Sequence, residues 1–175
     1  MSNLGDEILS KITDSKDLLT KIGSKIPGFS GYIDRQERRN SDKLLRDTIS
    51  ERTEEQWHRV SDLQTELIGS GDIMYVDDLE KAALKMRTFA DRIKTAARGY
   101  SGIFDAVKIN EEELTKILAY DNAMLDSMDG LSNAVDHVQA SLGTDGIQAA
   151  IRNLATVAQQ LIDAFNKRDE IVLTE

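Results

Sequence analysis

Apolar residues recur at three- and four-residue steps in five stretches of this chain, the spacing that gathers them on one side of an α-helix. In the first stretch, residues 3–25 and the residue after it, Ile8, Ile12, Ser15, Leu19, Ile22 and Ile26 follow one another at steps of 4, 3, 4, 3 and 4. That is heptad spacing, the pattern of a coiled-coil seam, with Ser15 as a polar break in it. Asn3 is placed to cap this helix. Pro27 ends it, because a proline pushes the residue before it out of the α region.

A long second helix is expected from Asp34 to Ile68, with Ile49, Trp57, Val60, Leu63 and Leu67 as its apolar face and "GSGD" as the break after it. The third opens at Asp77, with Glu80 in a capping-box position. Its stripe is Leu79, Ala83, Met86, Ala90, Ile93 and Ala97. Asn110 caps a fourth helix, whose first turn holds Glu111, Glu112 and Glu113, where the helix dipole favours anions. The turn "GTDG" at 143–146 leads into a fifth helix on Ile147, Ile151, Leu154, Ala158, Leu161 and Phe165. "EIVLTE" at the end reads as a last turn or a frayed tail. Met74, Met86, Met124 and Met128 read as core filler.

These patterns predict an all-α protein. Residues 34–175 form an antiparallel up-down four-helix bundle, residues 27–33 a Pro/Gly turn, and residues 1–26 an additional N-terminal heptad helix. The second helix outreaches its partners, so the N-terminal helix or a second copy of the chain has to cover the excess.

Two features break the apolar pattern. On a wheel with Ile49 at zero, Asp42 and Arg38 fall about 20° to either side of it, where the core stripe should continue, and Arg39 and Arg46 fall at its rim. A charge facing inward is costly unless it is paired and hydrogen-bonded. Asp42 is therefore expected to be held by Arg38 or Arg46, both four residues away, with the Tyr32 hydroxyl as a further partner. The plain reading is a polar latch that fixes the corner after the turn. The alternative is a small-ligand site, since arginines beside a glycine-rich turn can take an anion. Asp121 is the second feature, a carboxylate among Leu114, Ile117, Leu118 and Leu125. It pairs with a basic or hydroxyl group of a neighbouring helix, or it is a functional carboxylate.

Composition narrows the field. Of 175 residues, 40% are hydrophobic and 30% charged, with one proline and 5% aromatics, which suits long helices with wet faces and not a β-sandwich. The net charge of −9 argues against nucleic acid as a partner. The acidity is concentrated from residue 105 onward, where thirteen acidic residues face five basic ones. That half is either a solvated acidic surface or a docking face for a basic protein.

With no cysteine there are no thiolate metal sites or cysteine nucleophiles. The first residues lack the apolar core of a secretory signal, and no apolar run is long enough to cross a bilayer. A cytoplasmic setting is expected. The polar face of the N-terminal helix lacks the Lys/Arg excess that anionic lipids select, which argues against membrane attachment.

A di-metal carboxylate site needs two Glu-x-x-His pairs facing inward. The one such pair, Glu55 and His58, points away from the core face, and His137 also points outward. No catalytic residue, metal site or cofactor is expected, and the sequence reads as a non-enzymatic interaction or structural protein. Its expected partner is another protein or itself, as a homodimer through residues 4–26 or through the long second helix.

The segment "PGFSGYIDRQERRNSDKLLR" resembles an N-terminal signature of uncharacterised helical bacterial proteins, roughly PGYxGY followed by RRxxDKxLR. Phe29 replaces a tyrosine of that signature and Asn40 an acidic residue, and the likeness ends at residue 47. The resemblance implies that the turn and its Arg/Asp cluster form one unit, in a bacterial, cytosolic protein. It implies no activity.

Overall fold

In the computed structural model, residues 15–30, 35–95 and 111–173 are described, and all their regular structure is helical. The helices are α1 (Ser15–Lys25), α2 (Arg35–Ser70), α3 (Val76–Thr95), α4 (Glu111–Ala140) and α5 (Ile147–Leu173), with a 3-10 turn at Ile73–Tyr75. They pack against one another around a single core cluster drawn from all five.

Helix α2 is one unbroken rod of 36 residues. At ~1.5 Å per residue it is about 54 Å long. It ends where Gly71 takes a positive φ of 87°. The Asp72 N–H reaches back to the Leu67 carbonyl (2.9 Å) and the Gly71 N–H to that of Ile68 (3.3 Å). Those two bonds are a Schellman cap, which satisfies carbonyls the helix end would leave open.

The 3-10 turn follows at once, so α3 starts at Val76, one residue earlier than expected. Asp77 is thus inside the first turn of α3 and is not its cap. Another expectation also fails here. Met86, Met124 and Met128 are core residues, but Met74 is 77% exposed. It sits in the tight turn beyond the end of α2, outside the helix periodicity that would have aimed it inward.

Neighbouring helices can be paired from their cross-contacts. Helices α2 and α3 run antiparallel, with Gln64 bonded to Glu80 and Lys94 to Glu54. Helices α4 and α5 also run antiparallel, joined by the turn at 141–146. Helices α2 and α4 run in the same direction, with Thr53 against Met128 and Arg59 against Asp136. So do α3 and α5, with Lys85 reaching the Ala155 carbonyl and Arg92 bonded to Asn166. Phe89 of α3 meets Phe165 of α5 edge-on, ring centres 6.3 Å apart. Helices α3 and α4, consecutive in sequence, do not pack side by side among the described residues.

Helix α1 lies on α4. Its buried face is Leu18, Ile22 and Ile26, with Leu19 only partly buried. Lys25 forms an ion pair with Asp126, and its carbonyl accepts a bond from Arg52 of α2. The chain turns away at Pro27–Gly28, where the Phe29 N–H bonds to the Ile26 carbonyl (3.2 Å) and Gly28 has φ 85°. Proline followed by a positive-φ glycine is the signature of a type II turn.

Candidate functional site

The inward face of α2 changes character along its length. Val60, Leu63 and Leu67 line its C-terminal half. Toward the N-terminus, Ser41, Asp42, Arg46, Ser50 and Thr53 alternate with Leu45 and Ile49, and all of them are buried. The hydroxyls are satisfied locally or across the helix pair: Thr53 donates to the Ile49 carbonyl at 2.8 Å and Ser50 to the Ala90 carbonyl at 3.4 Å. The charges are paired with one another.

Asp42 receives a guanidinium on each carboxylate oxygen. Its Oδ2 pairs with Nη2 of Arg46, one turn along α2. Its Oδ1 accepts from Nη2 of Arg168 on α5, at 2.7 Å. The Nε of the same arginine donates to Oδ1 of Asp121 on α4, at 2.5 Å. Arg168 therefore spans two carboxylates on two other helices with one planar fork. A lysine, with its single nitrogen, lacks that geometry.

The four residues are 0–3% exposed. Two acids and two guanidinium groups sum to zero, which is the condition for burying charge at bearable cost. The bridge from Asp42 to Arg168 also joins two helices, α2 and α5, that do not pack side by side.

The residues singled out from sequence separate as follows. Asp42 and Arg46 come together, and Asp121 joins them through Arg168. Tyr32 lies outside the described residues, as do the side chains of Arg38 and Arg39. His58 and His137 are exposed. Among the described residues, no three His, Asp or Glu side chains converge in a group able to hold a metal ion. No described helix is long and apolar enough to cross a membrane.

Arg168 escaped sequence reasoning although a signal was there. It lies seven residues beyond Leu161 and fourteen beyond Leu154, so it continues the core stripe of α5 within about 40°. The wheel test that exposed Asp42 would have exposed it as well. The carboxylate partners, each more than 40 residues away, could not have been assigned that way.

Nothing among protein-family models, curated proteins or solved structures matches this chain.

Proposed function

We propose that this chain is a non-enzymatic helical-bundle protein that acts by presenting a rigid surface to another protein. In this reading α2–α5 form a four-helix up-down bundle, arranged α2, α3, α5, α4 around its axis, with α1 as a fifth helix on α4. The observation that carries the reading is the mutual neutralisation of Asp42, Arg46, Asp121 and Arg168 in the core. The inward-facing charges that could have formed a ligand site are engaged with each other, across three helices. Such a network suits a register lock, a recognised use of buried polar groups. It selects the arrangement in which α2 lies beside α4 and opposite α5 over alternatives the apolar stripes would also tolerate.

Two measurements test the proposal together. Purified protein is screened by thermal shift against metal ions, phosphate, sulfate and a metabolite library. The same protein is used for affinity capture from extract of its native source. The expected result is no saturable small-molecule stabilisation and a discrete, stoichiometric protein partner. A ligand whose stabilising effect disappears in Asp121→Asn, with no partner captured, overturns it.

A further inference from the structure

The large apolar side chains left exposed among the described residues are Ile68 (57%), Ile73 (65%), Met74 (77%) and Leu84 (52%). Three of them fall within one short stretch, the tip joining α2 to α3. Helices α2 and α4 run the same way, so this tip and the 141–146 turn lie at the same end of the molecule. The charge network is toward the other end, about 39 Å from Ile68 along α2 at ~1.5 Å per residue.

The tip is built, not slack. The Schellman cap at Gly71 fixes its start. The Ser70 hydroxyl bonds to the Asp72 carboxylate at 3.1 Å, the Tyr75 N–H to the Asp72 carbonyl at 3.2 Å, and the Val76 N–H to the Ile73 carbonyl. Isoleucine and methionine are thus held out on an ordered knuckle, and a preorganised apolar group loses little entropy on binding. Isolated exposed apolar residues are normal, but a clustered and rigid set marks a contact surface.

Charge decides the occupant. Glu66, Asp72, Asp77, Asp78 and Glu80 flank the knuckle in sequence, and Asp145 is in the turn at the same end. On the other side of the balance are Lys81, already bonded to Asp78 at 2.6 Å, and Lys85, which points to the Ala155 carbonyl. An apolar centre in so acidic a stretch of chain disfavours an anionic lipid surface, a nucleic acid and a second copy of itself. It complements an apolar anchor flanked by lysine or arginine.

Resting on the interaction reading above, we infer that the α2–α3 tip is a docking site for a basic segment of another protein that carries an apolar anchor. Ile68, Ile73 and Met74 are its apolar contacts, and the acidic residues Glu66, Asp72 and Asp77 beside them in the chain favour its basic flanks.

The test uses the full-length protein and a short synthetic amphipathic helix of leucine and lysine. Two controls accompany it: the same peptide with glutamate for lysine, and a scrambled version without an apolar face. Binding of the basic helix is expected, with amide shifts in the nuclear magnetic resonance spectrum concentrated at residues 68–78. The surface double variant Ile73→Ser/Met74→Ser should weaken it roughly tenfold or more while circular dichroism stays unchanged.

Equal binding of the scrambled or acidic peptide, no binding at all, or no effect of the double variant overturns the inference. So does sedimentation of unliganded protein as a dimer that the double variant abolishes, or tip-dependent binding to phosphatidylcholine or phosphatidylglycerol vesicles. A partner captured equally well by wild type and double variant would remove this site and leave the interaction reading standing.

Discussion

Replacing Arg168 by methionine isolates what the buried network contributes. Methionine keeps an unbranched apolar stem of similar reach and removes the guanidinium, so the change introduces little cavity. Asp42 retains Arg46, and the larger loss falls on Asp121, which is 0% exposed and gives up its bond from Arg168 Nε. The set of four loses one of its two positive charges. Breaking a buried pair from one side costs about 3–5 kcal/mol. The low end is favoured because Asp121 has other interactions besides this one.

For a chain of this size that corresponds to a fall in Tm of roughly 6–20 °C. Urea unfolding, followed by circular dichroism and by the fluorescence of Trp57, measures it. A double-mutant cycle with Asp121→Asn should give a coupling of about 2–3 kcal/mol. Arg168→Lys should recover only part of the loss, since one ammonium cannot hold both carboxylates in the same way. A cost below about 1 kcal/mol for Arg168→Met, or strict additivity in the cycle, would show that the network does not hold these helices together.

Further outcomes follow from the same geometry. Replacing all four charged residues together (Asp42→Leu, Arg46→Met, Asp121→Leu, Arg168→Met) should leave stability unchanged or raise it by about 1–4 kcal/mol. Its cost should appear as broadened or doubled amide resonances, from a core that no longer selects one register. Ile22→Ala empties a fully buried position of α1. It should cost about 2–5 kcal/mol and speed hydrogen exchange in α1 before the other helices.

Gly71→Ala meets open space but a left-handed backbone. It should therefore destabilise by roughly 1–2 kcal/mol through strain alone, read from urea melts. Glu112 accepts a 2.7 Å bond from Lys116, and this holds its pKa below the ordinary value of 4.5. A carboxylate with a depressed folded-state pKa adds stability above that ordinary value and loses it as pH falls through the depressed one. Lys116→Met should return the Glu112 titration upward in a carbon-detected pH series, and salt should shrink the difference.

Much of the fold was legible because each helix carries its own apolar period. The stripe on α3, the Pro27–Gly28 stop and the break at "GSGD" are local features, and the helices lie close to where those features put them. The exceptions fall where a local rule does not reach. Residue type alone points Met74 inward, yet it lies in a turn with no helical face to follow. Heptad spacing puts Leu19 on the seam with Ile22 and Ile26, and among the described residues of this stretch Leu18, Ile22 and Ile26 are the buried ones. A helix docked on one neighbour selects its face from that neighbour's shape.

The candidate site divides along the same line. Sequence alone determined that Asp42 and Asp121 face inward, because burial of a helix face is a property of periodicity, and that Asp42 has Arg46 within one turn. Only tertiary structure decided that Arg168 closes both carboxylates into one cluster. Asp42 and Arg168 are 126 residues apart in the chain. Their meeting depends on how the helices pack together, and helix periodicity does not encode which stripe faces which. That choice belongs to packing and charge satisfaction in three dimensions, as does the placement of an apolar knuckle at the end of the molecule away from the network.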